Sequence, residues 1–286
     1  MSHERGQQFL LQLPSMRHDL PFSPTLFERL YRQTGDASHI SLENLAETIS
    51  QDQGLTAKAL TLANSAYYGL QSEVRSISRA VAVLGLNEIR SLVLALGIGA
   101  IAKNPKIPKA FDITRYWKHQ ISVALAARDL ARPMGAPDAD SLFTAGVLHD
   151  FGKLLTALHR TSDWLAIEEL RRAEGLPCYK AEQRHWGLDH GLIGGMVLKS
   201  WNIPEELCEP VNWHHAPTRA PAQRRQALVL CVADAMVLSL DDPEAPASAP
   251  WREVLAKFDI PQADAEETVA AAMRSRDLSA FVAVLQ

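Results

Sequence analysis

The chain has 286 residues, 47% apolar and 22% charged, with 29 Lys and Arg against 33 Asp and Glu for a formal net charge of −4. That is enough chain for two compact helical lobes or one large domain. The interspersed signs leave no basic stripe of the kind phosphate-backbone binding needs, so nucleic acid is not expected as a partner. Cys178, Cys208 and Cys231 are odd in number and share no CxxC spacing, which fits buried thiols in a reducing cytoplasm better than a disulfide framework. Residues 1–11 lack a charged segment followed by a long apolar run, and no later apolar stretch reaches about 18 residues, so neither secretion nor a membrane span is expected.

Helical periodicity dominates the chain in order. Leu42, Leu45, Ala46 and Ile49 follow an i, i+3, i+4, i+7 course behind Ser41 as N-cap. A second course runs through Leu55, Ala59, Leu62 and Ala66, and a third through Ile77, Ala80, Val81 and Leu84 behind Ser76. The stretch 86–102 is apolar enough to be buried on most sides and stops at the Lys103–Pro108 segment, whose two prolines deny helix continuation. A lobe boundary is expected there. A new helix over 112–130 carries His119, the next turn spans 133–138, the Pro/Ala/Asp-rich run 241–250 reads as a loop, and a last helical segment starts near Ala263. No period-2 stretch of strand length is present. The expected fold is all-α and two-lobed, with an N-terminal helical lobe over 8–110, a helical bundle over 111–240, and a linker with a C-terminal helical extension over 241–286.

The strongest local signal is His149-Asp150, at the end of the apolar run Ala145–Leu148 and followed by Phe151-Gly152-Lys153. Adjacent helical residues point about 100° apart, so they converge on one ion most easily near a helix end, and Gly152 is expected to provide that end. Further ligand-type residues, His119, His190, His214, His215 and Asp234, stand at separations suited to a bundle, where facing helices hold ions between them. Taken singly, each has a plain structural explanation: a surface helix residue, a helix cap, a loop pair before Pro217. Together they offer imidazole and carboxylate donors, which suit iron, manganese or zinc. An ion open to water would promote attack on a phosphate ester, and two ions about 4 Å apart are what a two-metal hydrolase uses.

At this point the chain resembles a known family. His119, then His149-Asp150, then Asp234 are similar to the H…HD…D series of the HD superfamily, whose implied role is to ligate one metal. His190 and the pair His214-His215 match positions that complete a binuclear site in the HD-GYP phosphodiesterases, and Lys153 matches the lysine of their HDxGK signature. The segments Leu60–Gly69 and Ile77–Gly85 look like the region preceding the HD half in HDOD proteins, and the resemblance covers residues 10 to 240. Two departures stand out. No Gly-Tyr-Pro follows the paired histidines, where Ala216-Pro217-Thr218-Arg219 stands instead, which argues against cyclic dinucleotide hydrolysis. Arg115 lies four residues before His119, where those enzymes often supply a carboxylate, and a cation there would repel a second metal.

The resemblance implies a regulatory output module of bacterial signal transduction, acting on signalling proteins and holding one or two divalent transition ions. A second expectation is a metal-dependent phosphohydrolase or phosphodiesterase acting on a phosphorylated small molecule or nucleotide, with Lys153 as a catalytic group that stabilises phosphate charge, and a third is a small-ligand or nucleotide sensor that binds in the same pocket without turnover. Asn64, Tyr67 and Tyr68 interrupt an apolar helix and are expected to form an interaction surface, since exposed tyrosines anchor interfaces well. Arg184, His185 and Arg219 are expected to be solvated charges. The apolar residues Val254, Leu255, Phe258, Val269, Leu278, Phe281 and Leu285 of the tail predict packing helices.

Overall fold

The computed structural model describes residues 2–13, 41–50, 53–64, 73–136, 138–243 and 249–285, and among them it is helical throughout, with no strand. The N-terminal helix α1 covers Ser2–Gln12. Helices α2 (Leu42–Ser50), α3 (Gln53–Ala63) and α4 (Ile77–Ala102) pack on one another as the first group. The expected caps are in place: Ser41 Oγ accepts from Asn44 N at 3.3 Å and Ser76 Oγ from Arg79 N at 3.3 Å. The third course and the apolar stretch 86–102 form one run, kinked at Gly85 with φ 77° and ψ 172°, a conformation open to glycine.

The second group is built around α5 (Ile113–Ala131), whose N-cap Asp112 accepts from Arg115 N at 2.9 Å. Its residues 120–127 are buried on every side, because α5 packs against α6 (Ala139–Leu148), α12 (Arg224–Asp241) and the two last helices α14 (Gln262–Arg274) and α15 (Arg276–Leu285). Helices α7 (Phe151–His159), α8 (Thr161–Glu174), α9 (Cys178–Trp186), α10 (His190–Ser200) and α11 (Glu205–Trp213) complete it, with α10 lying between α7 and α11. The short α13 (Trp251–Ala256) leads into the tail, where Trp251, Leu255, Val269, Leu278 and Leu285 are buried.

The two groups meet through α4 and α6, where Ser91 and Thr144 share a buried hydroxyl pair at 2.6 Å, and through α15, which packs on α5 as well as on α3 and α4. The tail thus covers the seam between the groups. At the other end, α1 crosses to pack on α9. No described helix is long and apolar enough to cross a membrane.

Candidate metal centre

The polypeptide leaves α6 at Leu148 and turns through His149 and Asp150 before α7 starts at Phe151. Asp150, with φ −97° and ψ 11°, makes the break, so two adjacent side chains can face one point. Gly152 does not end a helix as the sequence reading expects: it lies in the first turn of α7, directly under the backbone of His190. A Cβ there would stand 2.0 Å from His190 O, so glycine is needed for close approach and not for chain reversal. Gly146 does the same for α5, where a Cβ would meet Ala124 Cα at 2.4 Å. These two contacts bring the helices bearing His119 and His190 onto the His149-Asp150 turn.

Four atoms form a first donor set. His119 Nε2 lies 3.1 Å from Asp234 Oδ1, 3.3 Å from His149 Nε2 and 3.5 Å from Asp150 Oδ2. His149 Nε2 lies 3.5 Å from Asp150 Oδ2 and 3.7 Å from Asp234 Oδ1. Ligands about 2.0–2.1 Å from an ion stand roughly 3.3–3.4 Å apart in a tetrahedron, a spacing that the 3.3–3.5 Å among His119, His149 and Asp150 matches, with Asp234 Oδ1 beside the two imidazoles. His149 Nδ1 donates to Gly146 O at 2.8 Å, which leaves the Nε2 lone pair for the cluster. Asp234 Oδ1 is buried and, although close to His119 Nε2, accepts no hydrogen bond of sound geometry. A buried bare carboxylate oxygen among imidazoles is costly by itself and is what a cation site requires.

The second set lies on the other side of Asp150. His190 Nε2 is 2.9 Å from Asp150 Oδ1 and 2.8 Å from His215 Nε2, and His214 joins the same group. His214 Nδ1 donates to Val211 O at 2.7 Å, so its Nε2, buried and without a partner, carries a free lone pair. The two oxygens of Asp150 therefore face different donor sets. Lys153, in the first turn of α7, places Nζ 2.6 Å from Asp150 Oδ2.

Glu182 on α9 was not singled out by sequence reasoning. Its Oε2 accepts from His190 N at 2.9 Å and from His190 Nδ1 at 2.7 Å, while Oε1 faces Cys178 Sγ at 3.6 Å. A carboxylate behind a ligating imidazole fixes its orientation and tautomer. The available signal was a glutamate one helical turn before a Gly-x-Asp-His turn. His190 itself does not cap α10, a task done by Asp189, which accepts from Leu192 N at 3.0 Å.

Charges follow from these contacts. Burial pushes His190 down, but the carboxylates of Glu182 and Asp150 outweigh it and hold the imidazole well above its usual range. Burial raises Asp150, yet His149, Lys153 and His190 keep it well below the carboxylate range. Asp234 is likewise low, with burial overcome by the imidazoles of His119 and His149. Burial and the neighbouring His149 and His190 push His214 down to about 3, and burial with His214 and His190 holds His215 well below its usual value. Burial works against the Lys153 ammonium, and Asp150 more than restores it.

The structure brings together His119, His149, Asp150, Lys153, His190, His214, His215 and Asp234. Arg115 is turned away: its side chain is 67% exposed and its guanidinium pairs with Asp241 at 3.2 Å, so the expected repulsion of a second ion is absent. Arg184 pairs with Glu174, His185 with Asp163 at 3.0 Å, and Arg219 lies over Trp213 at 5.2 Å. Asn64 is tied into its own group, its amide bonding Leu60 O, Val74 O and Val74 N at 2.9, 2.9 and 2.7 Å. Tyr67 and Tyr68 lie outside the described residues.

The fold and the cluster together define an all-helical protein with an HD-type His/Asp centre. The HDOD domain model matches residues 20–217, and the chain belongs to the HDOD domain family. A Shewanella amazonensis SB2B structure, named as a candidate phosphohydrolase, is 25% identical with a TM-score of 0.74, over 96% of this chain and 98% of that one. A Marinobacter aquaeolei VT8 structure, named as a candidate signal transduction protein, is 20% identical with a TM-score of 0.78, over 93% of this chain and 60% of that one, and supports the fold alone. An uncharacterized protein of Treponema pallidum (strain Nichols) is 24% identical over 90% of this chain, which spans about half (49%) of that relative's length.

Proposed function

We propose that this chain is a signal-transduction module whose helical bundle holds one or two divalent transition ions, manganese, iron or zinc, and which passes on its state through contacts with signalling proteins. The observation that carries the reading is the pair of donor sets sharing Asp150, with Asp234 Oδ1 and His214 Nε2 buried and unpartnered. His119, His149, Asp150 and Asp234 would hold one ion, and His190, His214, His215 and the other Asp150 oxygen a second. Elemental analysis of the purified protein tests this: one or two ions per chain are expected, and absence of metal after reconstitution would leave the cluster as core residues in an interaction scaffold. Tyr67 and Tyr68 are the proposed partner surface. Tyr67→Ala and Tyr68→Ala should weaken capture of a signalling partner at unchanged helical circular dichroism, and full capture would rule that surface out. Three thiols without a disulfide support work in the cytoplasm.

A second reading, hydrolysis of a phosphate ester, is favoured by Lys153 standing at the edge of the first set, half-buried and 2.6 Å from Asp150. A bound divalent ion would supply Lewis acidity and lower the pKa of water. Lys153 orients Asp150 and presents a cation toward phosphate oxygens, while Glu182 accepts from His190 Nδ1 and fixes that ring. Turnover of an aryl phosphodiester by the metal-loaded protein, lost in Lys153→Met, is the expected result. A full ion complement without turnover leaves the sensing or structural role.

A further inference from the structure

Among the described helices, α1 has an unusual seat: it packs on α9, in the second group, instead of on α2 to α4. Phe9 is fully buried and stacks on Trp186 with centroids 5.3 Å apart at 21°. The Arg160 guanidinium lies 5.8 Å over the Phe9 ring, and Arg5 reaches Asp163 at 3.7 Å, a carboxylate already held by Arg160 and His185. Gly6 sits against the carbonyl of Trp186: a Cβ there would stand 2.4 Å from Trp186 O and 3.2 Å from Leu188 Cγ. Glycine within a helix costs about 1 kcal/mol relative to alanine, so its presence facing this carbonyl marks a close contact that a side chain would break.

What α1 clamps is the segment that delivers His190. Trp186 closes α9, Gly187 turns the chain at φ 80°, Leu188 is buried under α1, Asp189 caps α10, and His190 follows. One turn back on α9 stands Glu182, which holds the His190 ring by Nδ1, and at the start of α9 Tyr179 stacks on His215 at 4.2 Å and 11°. Both ends of α9 thus bear on the second donor set.

We propose that α1 is a positioning element of the metal centre: Gly6 and Phe9 hold the Trp186–Asp189 turn so that His190 faces Asp150 and His215, and displacement of α1 selectively weakens the second metal position. This rests on the metal reading above. An input that moves the N-terminal helix is then transmitted to the second set over a few residues, while the first set stays intact.

The test compares the full chain with Gly6→Leu, which cannot seat α1, and Phe9→Ala, which removes only the stack. Manganese binding is titrated by calorimetry, and amide exchange is followed over residues 187–193. In Gly6→Leu the ion bound through His190 should weaken about 10–100-fold, the range for loss of an orienting partner. The ion bound through His119 should change by less than about threefold, and the amides should exchange at least about tenfold faster. Phe9→Ala should move both readouts in the same direction by less, and it decides the matter if Gly6→Leu loses its helical circular dichroism. Unchanged exchange over 187–193 in a variant whose α1 is displaced overturns the proposal. Failure of the unmodified chain to take manganese at the His190 set sinks the two-ion reading instead, and the exchange result then stands or falls alone.

Discussion

Gly152→Ala puts a single methyl group where the structure has no room for it. The added carbon would lie 2.0 Å from His190 O, 2.7 Å from His190 C and 2.8 Å from His190 Cα, all backbone atoms at the start of α10. Ordinary contact requires roughly 3.4 Å or more, so α7 and α10 must part by more than about 1 Å. Overpacking of this kind costs about 1–3 kcal/mol, and backbone on both sides places this case at the upper end. At about 2 °C per kcal/mol for a chain of this size, the melting temperature should fall by roughly 5 °C. The effect on metal is larger, because a 1 Å misplacement at a functional constellation costs on the order of 100-fold. The second ion should therefore weaken about 100-fold, while the ion bound through His119 and Asp234 changes far less. Calorimetric titration of manganese and a thermal melt in chelator measure the two effects separately. A variant with the original melting temperature and both affinities intact would refute the claim that Gly152 is there for the approach of α10.

Replacing His149 and Asp150 together by alanine should abolish metal binding, since both donor sets use Asp150; a full ion complement in the double variant refutes the ligand assignment. Glu182→Ala should weaken the second ion about 10–100-fold and Glu182→Gln should restore most of that loss, because an amide oxygen still accepts from His190. Metal binding through His190 should depend on pH with a defined sign. The His190 pKa is raised in the folded state, so its proton stabilises the metal-free fold fully below the unfolded pKa, and that contribution is lost as pH rises through the folded pKa. An ion taking Nε2 must displace that proton, so its affinity should rise about tenfold per pH unit up to the folded pKa, with one proton released per ion. Calorimetry in buffers of different ionisation enthalpy counts the proton, and no release at pH 7 would contradict the charge assigned to His190.

Much of both groups was legible because their signals are local. The apolar run into His149-Asp150, the prolines after Ala102, the caps Ser41 and Ser76 and the ligand-type residues each rest on side chains a few positions apart, and the all-helical fold follows from their period. What was not legible depends on contacts between distant segments. Gly152 reads as a helix end in one dimension, and only the position of His190, 38 residues on, shows that it is a place of close approach. Arg115 reads as a cation beside a metal, and only Asp241 on α12 shows that it points outward. Glu182 carries no motif of its own, and α1 belongs by sequence to the first group yet packs on α9, a choice made by Phe9 and Trp186, 177 residues apart.

The charge inventory of the ion-free centre argues for its purpose. Asp150, Asp234 and Glu182 are buried carboxylates, against them stand the protonated His190 and Lys153, and the lone pair of His214 Nε2 faces the interior without a donor. Such a cluster is under-satisfied as a hydrogen-bond network, with Asp234 Oδ1 and His214 Nε2 buried and unpartnered, as a site for a cation would be. In chelator, Asp234→Asn should melt below the unmodified protein, because the imidazoles of His119 and His149 hold the Asp234 carboxyl low and the folded state loses that attraction. With manganese at 100 times its dissociation constant, the unmodified protein should gain about 2.7 kcal/mol and the variant almost nothing. A variant still stabilised by manganese as much as the unmodified protein would show that Asp234 is a structural carboxylate and that the ion sits elsewhere.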